Sequence, residues 1–166
     1  MKAKDFYTYA YSLFDDVTPL MVDCGKLCDA ACCKGDDETG MYLFPFEHVM
    51  FDDCPGNFKI EKSEFEYGGK NVDILLCEPF CKRETRPLAC RIFPLVPYVD
   101  ENGNFNIVMD RRGKYMCPLA TAMTKDDLDE EFVRRVTYIS QIMMKIPQLK
   151  EFICEQSRLI DEVCFI

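Results

Sequence analysis

An α+β fold is what this sequence predicts, on three observations. Helical periods of apolar residues stand at both ends of the chain, two alternating hairpin patterns lie between them, and the cysteines gather in loops that carry neither period. The expected architecture is a small single domain spanning 1–166, with N- and C-terminal helices, two β-hairpins and cysteine-rich metal-binding loops. Its metal-binding core covers about 20–120 and its C-terminal helical pair about 124–164.

Taken in order, Phe6, Ala10, Leu13, Phe14 and Val17 recur at steps of three and four, so residues 3–17 read as an amphipathic helix that Thr18-Pro19 ends. Residues 24–40 are rich in Cys, Gly, Asp and Lys without an apolar period and read as a loop with room for one helical turn. Pro45 suits the first turn of a short helix near 45–52, where its missing N–H costs nothing. FKIEKSEFEY, the turn Gly68-Gly69 and VDILLCE alternate as one hairpin. LVPYVD, the turn Glu101-Asn102-Gly103-Asn104 and FNIVMD form a second.

Thr124, with Asp127 in the capping-box position, opens a long helix whose stripe is Leu128, Phe132, Val136, Ile139, Met143 and Ile146. Pro147 stops or kinks it. Leu149, Phe152, Ile153, Leu159, Ile160 and Val163 mark a last helix, which makes Cys154 and Cys164 helical residues outside the loops.

Composition narrows the function. With 29 acidic against 20 basic residues the net charge is −9, a field that repels phosphate backbones and anionic membranes, so no nucleic-acid partner is expected. The first residues hold Asp5, Asp15 and Asp16 and no apolar signal region, and no stretch approaches the ~18 apolar residues of a membrane span. The expected setting is therefore cytoplasmic, with no membrane partner. In a reducing compartment eleven cysteines are not presumed to be disulfides, and a chain of 166 residues builds its own core.

Filler cysteines would scatter, yet Cys24, Cys28, Cys32 and Cys33 fall in one short segment and Cys77, Cys81 and Cys90 in another. Thiolates are the soft ligands that zinc and iron–sulfur clusters select. Gaps of three residues between Cys24, Cys28 and Cys32 lie within the spacing zinc loops use. Adjacent Cys32 and Cys33 diverge in an extended chain and suit different metals, or different atoms of one cluster. Cys117, before Pro118, adds a further ligand. The expected cofactor is zinc or iron, the latter including an iron–sulfur cluster. Lys82, Arg83, Arg86 and Arg91 face only Glu78 and Glu84 in the second segment, a local basic excess suited to offsetting thiolate charge.

CGKLCDAACC followed by CKRETRPLACRIFP resembles the YkgJ-type cysteine-cluster family of zinc- or iron-chelating domains. The more specific half is Arg86-Pro87-Leu88-Ala89-Cys90-Arg91-Ile92-Phe93-Pro94. The resemblance covers roughly residues 20–120 and implies a small metal-binding domain with Cys24, Cys28, Cys32, Cys33, Cys81, Cys90, Arg86 and Pro87 in its motifs, joined by Cys77. The family's first block is C-x-x-C-x-x-C-C, and this chain has one more residue in each gap. Flagellin lysine methylases, iron–sulfur proteins that transfer methyl groups, share the cysteine cluster, so an iron–sulfur enzyme or redox protein stands as the alternative to a binding module. No glycine-rich strand-to-helix turn suggests a site for S-adenosylmethionine. Isolated Cys54, Cys154 and Cys164 read as small buried hydrophobes, and His48 and Glu47 as hydrogen-bonded, partly buried residues.

Overall fold

The structure is a computed structural model that describes residues 2–33, 39–52, 59–76 and 83–163, with the side chains of Cys33 and Val163 outside that set. It is α+β, as the patterning predicts. Helix α1 (Ala3–Ser12) is followed by the cysteine loop and by strand β1 (Gly40–Tyr42). A hairpin of β2 (Lys59–Tyr67) and β3 (Lys70–Leu76) comes next, then short helix α2 (Leu88–Ile92). A second hairpin, β4 (Leu95–Val99) with β5 (Phe105–Met109), leads to short helix α3 (Pro118–Ala122) and the two long helices α4 (Glu130–Met143) and α5 (Pro147–Val163).

Both predicted hairpins form. Gly68 and Gly69, at φ 55° and 70°, supply the two left-handed positions of a two-residue turn whose twist matches the strands. Tight pairing beside that turn, Tyr67 to Lys70, gives way to a register shift between Lys62 and Glu66, a bulge that the alternation alone did not reveal. Strand β1, which starts at the last residue of the segment read as a loop, pairs antiparallel with β3 in the order β1-β3-β2. Three residues are too short to show a period, so only the open edge of β3 makes them a strand.

Helix boundaries shift for identifiable reasons. The first helix ends at Ser12, before Phe14 and Val17, yet both remain buried because arginines from elsewhere hold the carbonyls of the following turn. Those carbonyls are the acceptors that a helix end leaves open. Residues 45–52 supply only a 3-10 turn, Glu47–Met50. Thr124 and Asp127 do form a capping box, but it closes a single turn, Lys125–Asp127; Leu128 is then extended and 6% exposed. The long helix starts afresh on Asp129, whose side chain accepts from Phe132 N at 2.9 Å. Pro147 is the first residue of α5.

One core joins the ends of the chain, with Phe6, Tyr7, Ala10 and Phe14 of the N-terminal segment packed with Phe132, Val136 and Ile139 of α4 and Phe152 and Ile153 of α5. Phe152 sits at the centre of an aromatic group, its ring centroid 5.2 Å from Phe44, 5.6 Å from Phe65 and 5.5 Å from Tyr67, in edge-to-face contacts. This seats the three-stranded sheet on α5. Ser157 Oγ accepts from Val99 N at 2.9 Å and ties the second hairpin to the same helix.

Candidate metal centre

Short-range hydrogen bonds shape the first cysteine segment. Asp23 accepts from Gly25 N at 3.1 Å and starts the 3-10 turn Cys24–Lys26; Leu27 N then donates to Cys24 O and Ala30 N to Gly25 O. Asp29 and Ala30 both sit at φ 52°, a left-handed pair that non-glycine residues seldom adopt. The reversal they make starts a second turn, Ala31–Cys33, back toward the first. Cys28 Sγ donates to Cys24 O at 3.4 Å. Cys117 arrives from a distant part of the chain as the residue that opens α3, with Pro118 at the first helical position.

These segments meet. Cys24, Cys28, Cys32 and Cys117 line one cavity of about 60 Å³, walled by Leu27, Phe93, Pro94 and Leu119. Phe93 and Cys32 also line an adjoining cavity of about 40 Å³ with Cys90, Arg86, Met41 and Met116. Gly113 explains how Phe93 reaches both: a Cβ there would lie 2.5 Å from Phe93 Cζ, so the ring rests directly on the glycine backbone. Burial pushes the Cys24 thiol up, nearby Cys28, Cys117 and Asp23 push it the same way, and Arg86 opposes them.

The basic residues divide their tasks in a way the charge count did not show. Among the described residues Arg86 lines the second cavity with the sulfurs, whereas Arg83 and Arg91 line neither cavity. Arg83 donates to Phe14 O at 2.8 Å and Val17 O at 2.7 Å, beyond the C-terminus of α1. Arg91 is 7% exposed, donates to Arg86 O and Glu84 O at 2.8 Å each, and stacks over the Tyr11 ring at 4.3 Å. Lys82 lies outside the described residues. Of the four cations expected to offset thiolate charge, Arg83 and Arg91 are thus engaged by main-chain carbonyls.

Glu47 is the residue whose importance the pattern did not signal. It is fully buried, and its carboxylate accepts from Tyr11 Oη at 2.7 Å, Phe44 N at 2.9 Å and Leu88 N at 2.6 Å. The last bond caps α2 from a distance, since Pro87 offers that helix no side-chain cap. Burial lifts the Glu47 carboxyl to about 7, against the pull of its three donors and of Arg91. Desolvation and the Glu47 charge push the hydroxyls of Tyr7 and Tyr11 up in turn. Glu47 and Arg91 together fix the helix that carries Cys90 against α1.

Of the expected ligands, Cys24, Cys28, Cys32 and Cys117 are brought together, with Cys90 next door; Cys33 ends the second turn, and Cys77 and Cys81 lie outside the described residues. Among the described residues no three Cys, His, Asp or Glu side chains are already gathered in coordinating geometry. Cys24, Cys28, Cys117 and Cys154 carry free thiols. His48 lies at the surface with Nδ1 3.5 Å from Asp73, in a different part of the fold from the sulfurs. Cys154, read as a small buried hydrophobe, is half-buried on α5 and lines a separate cavity with Val99 and Asp100. Cys54 and Cys164 are outside the described residues. Among the described residues no helix is long and apolar enough to cross a membrane. Comparison with protein-family models, curated proteins and solved structures gives no match.

Proposed function

We propose that the chain is a cytoplasmic metal-binding protein, with the thiolates of Cys24, Cys28, Cys32 and Cys117 holding one tetrahedral zinc or iron ion. The observation that carries this reading is the convergence of four cysteines, from two segments far apart in sequence, on one cavity. Cysteines serving as small hydrophobes need not converge, whereas a tetrahedral ion requires it. Binding draws the sulfurs inward and releases their protons, because the thiolate and not the thiol is the ligand. The resemblance of the cysteine blocks to zinc- and iron-chelating domains supports the same reading.

Four protein ligands close the coordination sphere, so the ion's role is to bind and to order the loop, not to activate a substrate. The test is anaerobic purification followed by analysis of zinc, iron and acid-labile sulfide. The expected result is about one zinc or iron per chain without sulfide, lost in Cys28→Ser and Cys117→Ser and kept in Cys154→Ser. Stoichiometric sulfide would replace the single ion with an iron–sulfur centre. Equal metal loss in Cys154→Ser and Cys28→Ser would remove the cavity from the account altogether.

A further inference from the structure

We propose a second metal site, selective for a cuprous ion, in the cavity lined by Cys32, Cys90, Met41 and Met116. The donor set decides the metal. Of the four sulfurs that line it among the described residues, two are thioethers, which are neutral, soft and weakly donating. Zinc takes thiolate, imidazole and carboxylate ligands, whereas thiolate with thioether is the combination that selects Cu(I). The walls agree, because the remaining lining among the described residues is Phe93 and Arg86, and a partly open space of about 40 Å³ beside an aromatic ring desolvates a monovalent ion at lower cost than a divalent one. Arg86 places a positive charge beside the two thiolates and lowers the charge that the ion itself must neutralise.

The elements supply four donors from four places: Met41 from β1, Cys32 from the second turn of the cysteine loop, Cys90 from α2 and Met116 from the turn before α3. Met116 is 47% exposed and gives the ion a way in from solvent. Cys32 lines both cavities and serves both ions as a bridging thiolate. Met41, Cys90 and Met116 line only the second, so this site stands on residues that the zinc or iron reading does not use.

The experiment is anaerobic titration of the purified protein with Cu(I), supplied as its acetonitrile complex, in competition with bathocuproine disulfonate. Zinc and iron are measured on the same samples. Wild type is expected to take up Cu(I), and Met41→Leu/Met116→Leu to bind it at least about tenfold more weakly, with its zinc or iron content unchanged. Equal Cu(I) affinity in wild type and the double variant overturns the proposal, since copper would then sit on cysteines alone. A readout on wild type guards against a misfolded variant: with methyl-labelled methionine, Cu(I) should move the resonances of Met41 and Met116 out of the nine in the chain. Unmoved Met41 and Met116 resonances also overturn it. Loss of zinc or iron in Cys24→Ser with copper binding retained separates the two sites.

Discussion

Glu47 and Ala30 are the two residues whose surroundings set measurable behaviour. The Glu47 carboxyl, ordinarily near 4.5, is raised to about 7 in the fold. Between those values the folded chain holds a proton that the unfolded chain has released, so stability falls as pH rises through the window and the loss is complete above it. The full effect is roughly 3 kcal/mol from the size of the shift. Denaturant midpoints measured from pH about 5 to about 7.5 should therefore decline, and Glu47→Gln should flatten that decline. The same variant should be less stable at low pH, because an amide NH₂ facing Phe44 N leaves two donors opposed. An unchanged slope in Glu47→Gln would assign the pH dependence elsewhere. Ala30, at φ 52°, is held left-handed against its own Cβ. Ala30→Gly should raise the unfolding free energy of the metal-free protein by about 1 kcal/mol, since glycine adopts that conformation without the clash. A loss of stability in that variant would show that unfolded-chain entropy outweighs the strain.

The helix α2 and the turn before α3 form the frame of the sulfur site, and neither has enough residues to show a helical period. Helix α2 has five residues and is held from outside, by Glu47 at its first N–H and by Arg91 reaching back to Arg86 O and Glu84 O. The turn Arg111–Tyr115 opens on Asp110, which accepts from Arg112 N at 3.0 Å, and brings Gly113 beneath Phe93. Gly113→Ala is expected to cost about 1–3 kcal/mol, because the added methyl overlaps the Phe93 ring and the backbone on either side is fixed. The ring wall belongs to both cavities, so metal content should fall with stability. A thermal melt paired with metal analysis checks this, and an alanine variant of native stability and full metal content would mean that the ring simply turns aside. Cys90 and Cys117 stand out in the sequence as candidate ligands, from their motif and from Pro118, but the helices that carry them do not.

Across the whole molecule, stability is expected to be uneven. The long helices and both hairpins close one core through Phe14, Phe132 and Phe152, whereas residues 20–32 contribute no residue to it except the partly buried Leu20. Stripping metal under reducing conditions should leave most helical signal intact and raise amide exchange sharply in 20–33, with little change through Phe132–Met143. Loss of protection through α4 would mean that the metal holds the entire fold. By itself the sequence determined the helical ends, both hairpins and the cysteine blocks, because each rests on local information: a repeating apolar step, a Gly-Gly turn, a cysteine spacing. Only the tertiary structure decided that Cys117 joins Cys24, Cys28 and Cys32 while Cys90 faces two methionines next door. It also decided that Glu47 anchors α2, that Arg83 and Arg91 bind main-chain carbonyls, and that β1 is a strand. Those outcomes depend on which groups meet across the fold, where burial and unpaired main-chain donors and acceptors set the partners, and no period or spacing in the chain encodes such meetings.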